Sequence, residues 1–136
     1  RCADVTGVQT CALPICALVL MGAFVQPAGA VDDEDVKFRT TEDLYQVCSV
    51  SQDEPEYVPA SFACRGFIEG AVQYHDQVTD RKNLKRLICY PKGATVGDGR
   101  RAFNTWAKKH AGNKERMNEI AVVGLVRALA DKYPCK

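Results

Sequence analysis

Beyond residue 30 the chain carries four cysteines, Cys48, Cys64, Cys89 and Cys135, spread over the 106 residues from 31 to 136. An even set of thiols in so short a chain, placed in an oxidising compartment, reads as two disulfides. A chain of that length forms one domain and buries roughly two-thirds of the surface it exposes when unfolded, so cross-links matter to its stability. Four cysteines allow three pairings, and sequence alone leaves them open. The preferred one joins Cys48 to Cys64, pinning the first two helices as a hairpin, and Cys89 to Cys135, tying the end of the chain to the start of the third helix. In the loop-entropy model the shorter ring contributes about 3 kcal/mol and the longer about 4 kcal/mol.

The oxidising compartment is argued from the leader. Ala17 to Val25 is apolar, Pro27 breaks a helix, and Ala28-Gly29-Ala30 places small residues at the −3 and −1 positions of a cut after Ala30. This is the pattern of a secretory signal peptide, and the mature chain is expected to begin at Val31. The basic region that should precede it is missing. Val5 to Ile15 instead resembles the translation of a common sequencing adapter, so residues 1–15 are read as an artefact and 16–30 as a truncated signal peptide. On this reading Cys2 and Cys11 carry no meaning. Cys16 lies in the leader, and the bulky Ile15 before it makes a poor lipidation signal. Ala17 to Val25 also falls short of the roughly 20 apolar residues that span a bilayer, so no membrane insertion is expected.

The charges beyond residue 30 are segregated. Residues 31–80 hold 3 basic and 12 acidic side chains, whereas 81–136 hold 14 basic and 4 acidic ones. Either the halves neutralise one another within the fold or across a dimer, or they form a dipolar surface that steers a charged protein partner. Nucleic acid is not expected, because the basic residues are not interleaved with exposed aromatics.

Residues 31–39 open with Asp32, Asp33, Glu34 and Asp35, a solvated acidic tail. Thr40 with Asp43 forms a capping-box-like start to a short helix that buries Leu44, Val47 and Cys48. Ser51 to Pro59, with two prolines and Asp53, Glu54 and Glu56, reads mostly as loop. Ala60, Ala63, Cys64, Phe67, Ile68, Ala71, Val72 and His75 then make a stripe of helical period. Gly66 and Gly70 in that helix are expected to admit close approach of another backbone, since each costs about 1 kcal/mol relative to Ala. Asp80 to Arg86 extends this helix or links it to Leu87-Ile88-Cys89-Tyr90-Pro91.

Thr95 and Asp98 repeat the cap for a helix to about His110, with Phe103, Trp106, Ala107 and His110 inward. A fourth helix is expected from about Lys114 to Lys132, packing through Met117, Ile120, Ala121, Gly124, Leu125, Ala128 and Leu129. With no useful period-2 alternation, the fold class is all-α: a small bundle of three or four main helices stapled by two disulfides.

Little here points to catalysis. None of the four cysteines makes a C-x-x-C pair suited to zinc. His75 and His110 sit on inward stripes, where a satisfied core or boundary histidine is the simpler reading than a base or ligand. No phosphate loop, nucleophile elbow or HExxH occurs. Neither catalytic residues, a metal nor a cofactor is expected.

Several segments together resemble the Rap/Tai family of immunity proteins, exported bacterial inhibitors of peptidoglycan amidases delivered by type VI secretion. They are the helix with Leu44 to Cys48, then Cys64-Arg65-Gly66-Phe67-Ile68-Glu69-Gly70, then Cys89-Tyr90-Pro91 with Thr95-Val96. Trp106 to His110, Ala121 to Leu129 and the ending Tyr133-Pro134-Cys135 complete the set, and the resemblance covers residues 40–136. It implies a helical, disulfide-bonded periplasmic protein, often dimeric, that occludes the cleft of a Cys/His amidase and performs no chemistry. It does not locate the contact surface. The exposed polar segments suited to entering a cleft are Asp53, Glu54 and Glu56 in the first loop, and Arg100, Lys108, Lys109 and Asn113 around the third helix; the competing reading is that they solvate the surface. A general envelope binding or chaperone-like module is the alternative function. An enzyme would require His75 or His110 exposed beside a nucleophile.

Overall fold

Thr40 holds an extended conformation and its hydroxyl accepts the Asp43 N–H at 3.1 Å, while the Asp43 carboxylate accepts the Thr40 N–H at 2.9 Å. Two amides that would otherwise lack partners are thereby satisfied, and α1 (Thr41–Cys48) follows. A computed structural model describes residues 37–136. The leader, the adapter-like run, Cys2, Cys11, Cys16 and the tail as far as residue 36 lie outside the described residues. The remaining helices are α2 (Tyr57–Lys82), α3 (Val96–His110), the single turn α4 (Lys114–Met117) and α5 (Ala121–Lys132). The described chain is helical, as its periodicity predicts, and both disulfides have the preferred pairing, Cys48–Cys64 and Cys89–Cys135.

Each helix faces one core. Leu44 and Cys48 from α1, Cys64 and Ile68 from α2, Phe103, Trp106 and Ala107 from α3, Met117 from α4, and Ala121, Leu125, Ala128 and Leu129 from α5 are all buried there. Burial of a Leu, Ile or Phe side chain is worth about 1.5–3 kcal/mol. α3 lies against α2 and α5, and α1 packs between α2 and α5. Two glycines allow this closeness. Gly99 meets Ile68 and Leu129, and a Cβ there would stand 3.3 Å and 3.7 Å from them; Gly124 meets Thr41. Trp106 donates its indole N–H to Asp131 at 2.9 Å, so the one polar atom of this buried ring is partnered.

Four points are changed or, where the sequence left them open, decided. First, α2 starts at Tyr57, inside the expected loop. Pro59 falls in its first turn, where the missing N–H would have had no intrahelical acceptor. Second, α2 continues to Lys82 and stops at Asn83, whose φ of 48° is left-handed; the N–H of Leu84 then bonds back to Thr79 O at 3.0 Å. Third, Gly66 and Gly70 face open space, with nothing within 4 Å of an added Cβ. They do not serve tight packing within the chain.

The fourth change concerns the expected helix 114–132, which is two helices. Ile120 leaves helical geometry to form an isolated antiparallel bridge with Thr40, and Glu119 O accepts both the N–H and the hydroxyl of Thr41, at 2.8 Å and 3.1 Å. The same break turns Ile120 outward, 64% exposed, where the stripe predicted it buried. A second bridge, Ile88 with Pro134, lies beside the Cys89–Cys135 bond, and Cys89 N–H donates to Tyr133 O at 2.9 Å.

Candidate binding surface

Cys48 ends α1, and its carbonyl is held by two side chains of α3: Arg100 Nε donates at 2.7 Å and Asn104 Nδ2 at 2.8 Å. Arg100 Nη2 also donates to Val50 O at 3.2 Å, so one guanidinium fastens the start of the α1–α2 loop to α3. The same guanidinium lies 5.6 Å from the centroid of the Tyr57 ring. The Gln52 amide, and after it Arg100, hold the Tyr57 phenol below the usual tyrosine value.

These contacts leave a cleft of about 670 Å³ between the first halves of α2 and α3. One wall is Tyr57, Ser61 and Arg65, which share a face of α2 at i, i+4, i+8 spacing; the other includes Arg100, Arg101 and Asn104. Thr95, Val96 and Gly97 close one end as the capped start of α3. Asp98 is bonded to Thr95 through both the hydroxyl and the backbone N–H, at 2.6 Å and 2.9 Å, and also meets Arg101. These contacts, Thr95 foremost, hold its carboxyl below the usual carboxylate range.

The candidate contact residues fall into two groups. Asp53, Glu54 and Glu56 are exposed in the α1–α2 loop, next to the cleft that Arg100 lines. Ser51 orders this loop: its hydroxyl meets Asp53, holding that carboxyl below its usual range, and its N–H donates to Glu54 at 3.0 Å. Lys108 and Lys109 are exposed at the far end of α3, about 12 Å along the helix from Arg100 at 1.5 Å per residue. Asn113 stands beyond them, its side chain capping α4 by accepting the Arg116 N–H at 3.1 Å.

Both histidines are engaged structurally. His110 Nδ1 lies 2.8 Å from Trp106 O with its ring stacked on the indole at 4.3 Å. His75 lies 3.0 Å from Asp76 and accepts the Leu87 N–H at 3.4 Å. The segregated charges meet at Arg86, which pairs with Asp80 at 2.8 Å and Asp76 at 3.9 Å. Arg101 with Asp98, and Arg116 and Arg127 with Glu119, pair within the basic half.

α2 also carries exposed apolar residues that periodicity did not single out. Val58, Phe62 and Tyr74 are exposed, Phe62 and Tyr74 at 73% each, and the open Gly66 and Gly70 lie between the two aromatics along the helix. The cleft was likewise missed, because its walls come from segments some forty residues apart. Its only local signal is the pair of adjacent arginines, Arg100-Arg101, just after a helix cap.

The described residues form a small helical domain cross-linked by two disulfides, with an open cleft lined largely by polar side chains. More particularly, the chain belongs to the family of Rap1a immunity proteins, whose family model matches residues 40–135. Membership implies an immunity protein that acts by binding a cognate toxin. No curated protein and no solved structure matches the chain.

Proposed function

We propose that the chain is a periplasmic immunity protein that binds a peptidoglycan amidase delivered by type VI secretion and inhibits it by covering its catalytic cleft. The observation that carries this reading is the extent of the family match, which spans α1 to the last cysteine and takes in both disulfides. Such cross-links suit an oxidising compartment, and in this reading residues 16–30 are the leader that takes the chain there. The chain contributes no chemistry and needs no cofactor. The exposed loop with Asp53, Glu54 and Glu56, together with Arg100, and the far end of α3 with Lys108, Lys109 and Asn113 are the segments offered to the toxin. A second copy of the chain packs on the exposed face of α2, where Phe62 and Tyr74 supply apolar area and the glycines admit a close helix.

The test is binding of residues 31–136 to the protein encoded by the neighbouring gene, with cell-wall cleavage assayed alongside. Tight stoichiometric binding that abolishes cleavage is expected. Absence of inhibition would transfer the chain to a general envelope binding or chaperone-like role, for which exposed Leu84, Leu87, Ile120 and Val122 would supply client surface. Sedimentation of the wild type and of Phe62→Asp checks the dimer: the variant is expected to be monomeric.

A further inference from the structure

We infer that His75 is an acid-sensitive latch on the link between α2 and α3: when its imidazole takes up a proton, residues 85–87 come away from α2. The inference does not depend on which toxin the chain binds. The ring sits in the second half of α2 with its side chain only 9% exposed. Nδ1 lies 3.0 Å from Asp76 Oδ1, and Nε2 accepts the Leu87 N–H at 3.4 Å. A backbone N–H can only donate, so Nε2 is the bare nitrogen of a neutral ring, and Nδ1 carries the proton that Asp76 accepts.

Both charge states keep the Nδ1 bond and differ at Nε2. A proton there sets one donor against another, so protonation and the Leu87 bond exclude each other. The imidazolium also draws on the Asp76 carboxylate, which lies 3.9 Å from Arg86, and adds a second cation near that guanidinium. Arg86 keeps Asp80 at 2.8 Å. The Tyr90 phenol, which Tyr133 meets from the end of α5, is pushed up to about 12 by burial and then by Asp76, and stays neutral. The ends of the link are fixed by other means. Leu84 N–H bonds Thr79 O at 3.0 Å, Ile88 is buried and bridged to Pro134, and Cys89 is bonded to Cys135. Between those anchors, the polar fastenings among described residues are the Leu87 bond to His75 and the Arg86 pairs. His110 lacks this arrangement: its Nδ1 meets the Trp106 carbonyl, a bond that a proton on Nε2 leaves in place.

The test is nuclear magnetic resonance of nitrogen-15-labelled residues 31–136 from pH 8 to pH 5, the range in which histidines change charge. At pH 8 the ring nitrogen shifts are expected to report a protonated Nδ1 and a bare Nε2. On acidification the Leu87 amide shift should move with the same midpoint as the His75 ring. Solvent exchange of that amide, corrected for its intrinsic pH dependence, should quicken about tenfold, as loss of one hydrogen bond requires. The Leu84 and Cys89 amides, bonded to Thr79 O and Tyr133 O, should keep their protection. His75→Gln puts an acceptor that takes no proton beside Leu87, and is expected to abolish the pH response.

A proton on Nε2 at pH 8, a Leu87 amide whose shift and exchange do not follow the His75 ring, or a pH response that survives in folded His75→Gln would each overturn the inference. Circular dichroism checks the fold of the variant. Because the ring is mostly buried, the coincidence of the two midpoints in the wild type decides the matter by itself should His75→Gln fail to fold. Toxin assays leave the result untouched: the latch stands or falls on the Leu87 amide whether or not the chain inhibits an amidase.

Discussion

Gly124 of α5 lies directly on Thr41 of α1: a Cβ added to the glycine would stand 2.8 Å from the Thr41 Cβ and closer still to its hydroxyl. Thr41 cannot yield easily, since it is fully buried and its N–H and hydroxyl both bond Glu119 O. Gly124→Ala is therefore expected to destabilise the fold by about 1–3 kcal/mol, the usual cost of overpacking a tight contact. Gly66→Ala and Gly70→Ala, facing open space within one helix, should instead stabilise the monomer by about 0.5–1 kcal/mol each. Urea unfolding at dilute protein concentration reads both signs, and a destabilised Gly66→Ala would show that α2 packs on something in solution.

Arg100 anchors the α1–α2 loop through its bonds to the Cys48 and Val50 carbonyls. Arg100→Met removes the donors while keeping an apolar stem against Tyr57. A loss of about 2 kcal/mol is expected from the two hydrogen bonds, together with faster proteolysis between Val50 and Glu56. Unchanged stability would mean the loop is held by the Cys48–Cys64 bond alone.

The two disulfides differ in access. Cys48 and Cys64 are fully buried, whereas Cys89 is exposed and Cys135 half-buried. Thiol exchange requires a path for the attacking thiolate, so mild reduction should open Cys89–Cys135 first. Timed alkylation followed by peptide mass analysis would check the order; simultaneous labelling of all four would contradict it.

Tyr90 carries a buried hydroxyl that finds no partner among the described residues, and burial, with the Asp76 carboxylate after it, pushes its phenol up to about 12. In the unfolded chain a tyrosine ionises near 10. Between these values the folded state holds a proton the unfolded state has lost, so stability falls as pH rises from about 10 to about 12. Tyr90→Phe removes the unpartnered oxygen and keeps the ring against Tyr133, at 5.8 Å between centroids. It should leave stability at pH 7 unchanged or raise it by about 1 kcal/mol and flatten part of the alkaline decline. A loss above that size at pH 7 would reveal a partner for the hydroxyl.

Much of the fold was legible because its signals are local. Thr40 with Asp43 and Thr95 with Asp98 mark the starts of α1 and α3 by side chains reaching their own backbone three residues away. The stripes through Cys64 and Ile68, through Phe103, Trp106 and Ala107, and through Leu125, Ala128 and Leu129 point inward as their 3.6-residue period requires. The candidate surface was legible only in part. Exposure of the loop acids and of Lys108 and Lys109 follows from polarity, but the inward turn of Arg100 toward two carbonyls depends on where α1 ends in space.

The helical class, the caps and most of the core can be read from the residues alone, because propensity, capping and amphipathic period act over a few residues. The sequence also favoured the pairing of cysteines now seen as two bonds. The residues do not announce that Ile120 leaves its helix to bridge Thr40, that Gly124 rather than Gly66 or Gly70 takes the close contact, or that Arg65 and Asn104 line one cleft. Those outcomes depend on which faces of distant segments meet, and that is settled by packing the whole chain at once.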